Sequence, residues 1–365
     1  MMKYPPPLFI LPEAAARLGK FFQDFRPVNP ITDPRRVLLI DWLHNELQLE
    51  FERLEPASSD ASFRRYFRIH IKDETRIVMD APPPTEDVRP FIKLASRLRS
   101  LGLMTPRIFS ENLELGFLLL EDFGALSYLD VLTPDNVEQL YGSAMESLHC
   151  LAEAPDSATS DLPLYDRTLL ERELRIFDEW CLGTYLDLKL STCEKALIEK
   201  TFEVLVKSAL AQPKVLVHRD FHSRNLMVFG KAPGILDFQD AVHGPITYDL
   251  VSLLRDCYID WPEHEVKRWA RSHHQQLTHQ GGLSPDVTSE QFLAWFDLMG
   301  LQRHLKAIGI FSRLHLRDGK SSYLEAIPRT LKHALNVSKE SPELSDFATF
   351  LEERVSPAFP KTTAP

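Results

Sequence analysis

The apolar positions of this chain follow two periods, and the two kinds of stretch segregate along it. Asp33 as an N-cap and Pro34 in a first turn predict a helix in which Val37, Ile40, Leu43, His44 and Leu47 share a face. Short strands follow at 51–54, 66–71 and 76–79, the first two separated by a polar turn at 56–61. A helix at 88–101 places Phe91, Leu94, Leu98 and Leu101 on one side and stops at Gly102. Strands near 107–110 and 116–120 complete this region. Beyond Asp122-Phe123-Gly124, helical spacing dominates, at 136–151, 167–182, 192–210, 264–278 and 289–317. The last contains Leu298, Leu301, Leu305 and Ile308, a stripe that belongs against a core. Three short strands interrupt the helices, at 215–217, 226–229 and 234–236, the last two around a turn at 230–233.

This order predicts an α+β fold with two lobes. A small antiparallel-sheet N-lobe spans 35–122, a hinge lies near 120–124, and a larger helical C-lobe spans 123–345. Residues 1–34, broken by prolines at 5, 6, 7, 12, 27, 30 and 34, read as an N-terminal extension, and 346–365 as a C-terminal tail that frays from 357. Hydrophobic residues make up 44% and charged residues 26%, so a sizeable core is expected. A net charge of −10 argues against non-specific nucleic-acid binding and against an anionic membrane surface. It leaves room for a nucleotide that arrives with Mg²⁺. Cys150, Cys181, Cys193 and Cys257 form no C-x-x-C pair and read as reduced thiols. With no signal-peptide pattern and no apolar run near the ~20 residues of a membrane span, the expected location is the cytoplasm.

The chemistry concentrates in residues 218–237. Asp220 is followed five residues later by Asn225 and, twelve after that, by Asp237, with strand patterns on either side. A transferring phosphoryl group carries dense negative charge, which Mg²⁺ neutralises through hard oxygen ligands. Asn225 and Asp237 offer such oxygens, while Asp220 can orient and deprotonate an acceptor hydroxyl. The pattern implies transfer of a nucleotide γ-phosphate to a hydroxyl, with ATP and Mg²⁺ as cofactors.

The expected nucleotide-facing residues carry a weaker signal. Ser59, Asp60, Ala61 and Ser62 form a glycine-free turn whose backbone N–H groups can face phosphate. Alternation puts Arg64, Tyr66 and Arg68 on one face of a strand and Arg65, Phe67 and Ile69 on the other, and one arginine, with Arg65 as a candidate, is expected near phosphate. The strand Arg76-Ile77-Val78-Met79-Asp80 lacks the lysine that kinases place there. A reversed pair, Asp80 on the strand with Lys93 on the following helix, is the expected replacement. Glu121 opens the hinge where adenine meets backbone.

Residues 218–250 resemble the aminoglycoside phosphotransferase family, which implies a bilobal protein-kinase-like fold. The resemblance rests on His218, Asp220, Asn225, Asp237 and Asp249, with His218 and Asp249 as supports of the catalytic loop. A closer resemblance covers most of 36–340, through Ala61-Ser62-Phe63-Arg64-Arg65-Tyr66-Phe67-Arg68, His218-Arg219-Asp220-Phe221-His222-Ser223-Arg224-Asn225, Asp237-Phe238-Gln239-Asp240-Ala241 and Gly300-Leu301-Gln302-Arg303-His304-Leu305-Lys306. These segments are similar to the anomeric N-acetylmuramate/N-acetylglucosamine kinases of cell-wall recycling. That resemblance implies an amino-sugar substrate phosphorylated at its anomeric hydroxyl, with Arg224, Arg255 and Arg303 as candidates for a lactyl carboxylate. Two other readings stay open. One is a kinase for another hydroxyl compound of aminoglycoside, choline or homoserine type, for which Glu171, Glu173, Asp178 and Glu179 could receive a polycation. The other is a nucleotide-binding scaffold without turnover.

Overall fold

The computed structural model of the chain describes residues 33–59, without the side chains of Ser58 and Ser59, and residues 63–360. The extension expected at 1–34 therefore lies almost wholly outside the described residues.

The N-lobe is a five-stranded antiparallel sheet. Its strands are β1 (Arg53–Ser59), β2 (Arg65–Ile71), β3 (Glu74–Asp80), β4 (Ile108–Asn112) and β5 (Phe117–Glu121), in the order β1-β2-β3-β5-β4. Period-two alternation splits the sheet into two cores. Phe67, Ile69, Val78, Phe117 and Leu119 face outwards, where helix α1 (Pro34–Asp41) and its π-helical continuation Trp42–Glu46 cover them with Leu39, Trp42 and Leu43. Met79, Leu118 and Leu120 face inwards against α2 (Arg89–Ser100), which contributes Phe91, Leu94 and Leu98. The continuous apolar run of β5 follows from burial on both faces. β1 extends through the expected polar turn to Ser59, with a register shift between Pro56 and Ser58 that accommodates the proline in an edge strand.

The C-lobe is helical: α3 (Tyr128–Val131), α4 (Val137–Ala152), α5 (Arg167–Ile176, continuing as a π-helix over Phe177–Tyr185), α6 (Thr192–Leu210), α7 (Tyr248–Leu254), α8 (Glu263–Gln280), α9 (Ser289–Asp318), α10 (Ile327–Glu340) and α11 (Ser345–Phe350). Two hairpin-like pairs sit among them. β6 (Lys214–Val217) pairs with β9 (Val242–Pro245), and β7 (Leu226–Phe229) pairs with β8 (Ala232–Ile235). The thirty-residue α9 is the spine of the lobe. It crosses α5 so closely at Gly309 that a Cβ there would lie 2.5 Å from the backbone of Ile176. The segment expected to be a tail from 346 is instead packed: Phe347, Phe350, Leu351 and Val355 are buried in the main core. No helix of the described residues is long and apolar enough to cross a membrane.

Candidate active site

A cleft of ≈ 690 Å³ opens between the lobes. Ala57, Ile77 and Leu120 line it from the sheet, Met227 and Leu236 from the C-lobe hairpin, and Phe123 from the hinge. Phe123 rests on Gly234, where a Cβ would approach its ring to 2.5 Å, and on Phe229 at 4.4 Å between ring centroids.

The loop after β6 carries the acid–base and metal candidates. Asp249, in the first turn of α7, accepts the backbone N–H of His218 at 2.6 Å and of Arg219 at 2.9 Å. The N-cap of α7 is Thr247. Burial pushes the Asp249 carboxyl up to about 7 against those two N–H groups. Arg219 is held at φ +79°, a left-handed backbone uncommon outside glycine. The His218 ring bridges two segments: Nδ1 accepts the Asp220 N–H at 3.2 Å, so Nε2 carries the proton and donates to the Leu236 carbonyl at 3.0 Å. Burial lowers this imidazole to about 4, which keeps it neutral in that role.

Asp220, Asn225 and Asp237 all line the cleft. Burial raises the Asp220 carboxyl, but the charges of Lys306, His222, Arg303 and Arg219 outweigh it and hold the group below the usual aspartate range. Asp220 is therefore ionised at neutral pH. The Asn225 amide nitrogen donates to the Asp220 carbonyl at 3.0 Å and lies 3.5 Å from Asp237, which leaves the amide oxygen available. Gln239 donates to Asp237 at 2.6 Å and fixes its carboxylate. An amide oxygen and a carboxylate converging at the charged C-lobe side of the cleft suit Mg²⁺, which is commonly held by one or two carboxylates with phosphate and water.

Below this loop lies a buried charge knot. Glu173 accepts from Arg219, from the Tyr165 hydroxyl and from Lys306 Nζ at 3.0 Å. Burial opposes its ionisation, yet Lys306 and Arg219 hold it at about 2. Lys306 also donates to the Tyr248 hydroxyl at 3.0 Å, and Arg303 donates to the Arg219 carbonyl at 3.3 Å. Lys306, Tyr258 and Tyr323 line the cleft without having been singled out as site residues. Lys306 and Arg303 fall on one face of α9, a periodicity that was readable. Tyr258 sits in a bend after α7 and Tyr323 in a six-residue 3₁₀ helix (Ser321–Ala326), both too short to leave a periodic signal.

Several expectations need correction. Lys93 is exposed and pairs with Asp161 rather than with Asp80, and it does not line the cleft. Asp80 is buried under Arg35 and Arg65 on the outer side of the sheet. Arg65 thus turns away from the cleft, as the alternation of β2 requires, and also binds Asp33 at 2.5 Å. Arg64 pairs with Glu86. The β2 cation that lines the cleft is Arg68, gripped by Asp122 at 2.5 and 3.0 Å. Arg255 is a buried structural cation, paired with Glu263 at 2.5 Å and Asp297 at 2.6 Å, and is outside the cleft. Glu121 lines the cleft, but its carboxylate accepts the Arg107 N–H. Asp60, Ala61, Ser62 and the Ser59 side chain lie outside the described residues. Arg224 and Arg303 line the cleft on the C-lobe side. The acidic set offered for a polycation is dispersed: Glu171 pairs with Arg167, Asp178 with Arg175, and Glu173 is inside the knot.

Sheet lobe, hinge, helical lobe and an Asp-Asn-Asp cleft define a bilobal phosphotransferase of kinase-like fold. The description of the phosphotransferase enzyme family matches residues 53–283, and the chain belongs to that family. It is 46% identical over 298 residues to the N-acetylmuramate/N-acetylglucosamine kinase of Pseudomonas aeruginosa, covering 82% of this chain and 87% of that one. It is 42% identical over 334 residues to the kinase of the same name from Pseudomonas putida, covering 89% and 98%. The fold matches that of spectinomycin phosphotransferase in complex with ADP and spectinomycin, at 15% identity and a TM-score of 0.57, over 86% of this chain and 98% of that one.

Proposed function

We propose that the protein phosphorylates the anomeric hydroxyl of N-acetylmuramate and N-acetylglucosamine with Mg-ATP, giving the sugar 1-phosphate and ADP, in the cytoplasm as part of peptidoglycan-sugar reuse. The names of the relatives at 46% and 42% identity support the substrate. The observation that carries the reading is the C-lobe side of the cleft, where ionised Asp220 faces Arg303, Lys306 and an aromatic wall. The Arg303 and Lys306 charges suit a neutral or anionic sugar and would repel the polycation of an aminoglycoside.

Asp220 orients the anomeric O–H and receives its proton as the oxygen bonds to the γ-phosphorus and the bond to the bridging oxygen of ADP breaks. Its low basicity suffices, because a loose phosphoryl transition state asks mainly for positioning and charge neutralisation. Asn225 and Asp237 would hold magnesium, which when bound neutralises charge on the β- and γ-phosphates. Ala57, Ile77, Leu120, Met227 and Leu236 form the apolar slot for adenine, and Asp249 and His218 keep the loop in register.

The test is ADP release with Mg-ATP and N-acetylmuramate, N-acetylglucosamine, kanamycin or choline, with the phosphate located by NMR. Turnover of the two N-acetyl sugars at C1 is expected. Asp220→Asn should lower kcat about 10²–10⁴-fold with nucleotide affinity retained, and Asp237→Ala should weaken Mg-ATP binding itself. Turnover confined to another acceptor would discard the substrate. Nucleotide binding without turnover on any acceptor would favour the scaffold reading.

A further inference from the structure

The two proposed sugars differ at one place: N-acetylmuramate carries a lactyl carboxylate on C3 where N-acetylglucosamine has a hydroxyl. A kinase that accepts both needs a cation that the carboxylate can use and that the neutral sugar can do without. Four cations line the cleft, and three are already committed. Arg68 is held in two places by Asp122. Lys306 is shared between Glu173 and Tyr248. Arg303 donates to the Arg219 carbonyl and stands over the Tyr248 ring at 4.9 Å.

Arg224 is different. Its guanidinium lies 3.9 Å from the centroid of Tyr258 and 5.8 Å from that of Tyr323, and no carboxylate forms an ion pair with it among the described residues; Asp130, held low chiefly by hydrogen bonds from Ser127, feels its charge as a lesser contribution. It is exposed at the mouth of the cleft. Its placement is built in. Buried Asp256 accepts Ser223 N–H at 2.9 Å and Ser223 O–H at 2.5 Å, and it accepts Tyr258 N–H at 3.0 Å. One carboxylate therefore fixes both the residue before Arg224 and the ring beneath it. Stacking on a tyrosine leaves the edge of a guanidinium, with its forked donors, open to a carboxylate.

On the proposed sugar-kinase reading, we infer that Arg224 is the specificity-determining residue that reads the lactyl carboxylate of N-acetylmuramate. The anomeric carbon and C3 stand in a 1,3 relation on the pyranose ring. A sugar with its anomeric oxygen at Asp220 can therefore direct its lactyl arm along the same loop to Arg224, four residues on. The Tyr258 and Tyr323 rings then flank the arm and limit the water that competes for the carboxylate.

The test measures kcat/KM for both sugars, and for the lactyl amide of N-acetylmuramate, with wild type, Arg224→Gln and Arg224→Lys. Loss of a charge-assisted hydrogen bond should lower the N-acetylmuramate to N-acetylglucosamine ratio about ten- to a hundredfold in Arg224→Gln. Arg224→Lys should recover part of it. Wild type should discriminate against the lactyl amide, and Arg224→Gln should lose that discrimination. Nucleotide affinity, measured by calorimetry, reports that each variant is folded. An equal loss on both sugars, with wild type active on both, would overturn the inference and assign Arg224 to the phosphoryl group. An unchanged ratio would also overturn it. A wild type inactive on both sugars would instead sink the sugar-kinase reading, and this inference with it.

Discussion

Replacing Asp249 by asparagine tests how the catalytic loop is held. The carboxylate accepts two backbone N–H groups, from His218 and Arg219, at a site where His218 is 1% exposed. An amide of the same size offers one acceptor oxygen and an NH₂ that cannot accept, so one buried N–H is stranded. Stranding it costs about 1–3 kcal/mol. The same change unfastens Arg219 from its left-handed conformation, φ +79°, a strained geometry that needs surrounding contacts to persist. At about pH 8, where the Asp249 carboxyl is mostly ionised and its charge assistance is lost with it, the expected loss is about 2–4 kcal/mol in urea denaturation. Asp220 follows Arg219 directly, and a displacement near 1 Å of such a group can cost on the order of 10²-fold in rate. The variant should therefore show a kcat about 10²-fold lower while KM for ATP moves by less than about threefold, since the Asn225 backbone is anchored separately, donating to the His222 carbonyl and accepting the Leu236 N–H. A loss of stability under about 1 kcal/mol together with near-normal kcat would show that the loop holds its own shape, and the bracing argument would be refuted.

Arg255→Met should cost about 1–3 kcal/mol, less than a fully buried pair because Glu263 and Asp297 are 37% and 23% exposed. KM for the sugar should hardly change. A raised KM at normal stability would return Arg255 to the list of ligand candidates. The pH dependence of stability should be set by buried imidazoles. His218 and His333 are held at about 4 by burial, and burial lowers His149, His273 and His304 as well. The unfolded chain binds protons near 6.5 that the folded chain refuses until about 4, so stability is complete above that range and falls as pH drops through it. His218 alone, with a difference of about 2.5 in pKa, accounts for about 3 kcal/mol by pH 4. Asp249 and Asp178, raised by burial, act in the opposite sense but are outnumbered. Urea midpoints at pH 7.5, 6 and 5 should fall in that order, and a rising series would refute the assignment.

What the sequence disclosed follows from how far apart the interacting residues lie. The loop, metal candidates and brace occupy 218–249, a span short enough that spacing carries the chemistry. Helix α6 spans Thr192–Leu210, the stretch its helical spacing predicts, and the structure adds a capping box between Ser191 and Glu194 at its start. Long-range pairing was not legible. Asp80 meets Arg35 across 45 positions, and nothing local to Lys93 announces Asp161 as its partner. β9 was missed because His243, Gly244 and Pro245 carry no strand signal, and its pairing with β6 supplies the context. α10 was overlooked although Ile327, Leu331, Ala334 and Val337 stand at helical spacing. The aromatic platform under Arg224 depends on Asp256, and no sequence rule links those residues.

The spine helix α9 has a consequence for how this scaffold can diversify. Arg303, Lys306, Ala307, Ile310, Phe311 and Leu314 all line the cleft from one helical face. Apart from Asp220 and Arg224, which the 218–225 loop contributes, much of the C-lobe side of the cleft therefore comes from a stretch of chain separate from the loop that carries Asn225 and Asp237. Substitutions along that single ruler can reshape the acceptor compartment turn by turn while the phosphate-handling loop stays as it is, so one fold can change clientele without relearning its chemistry.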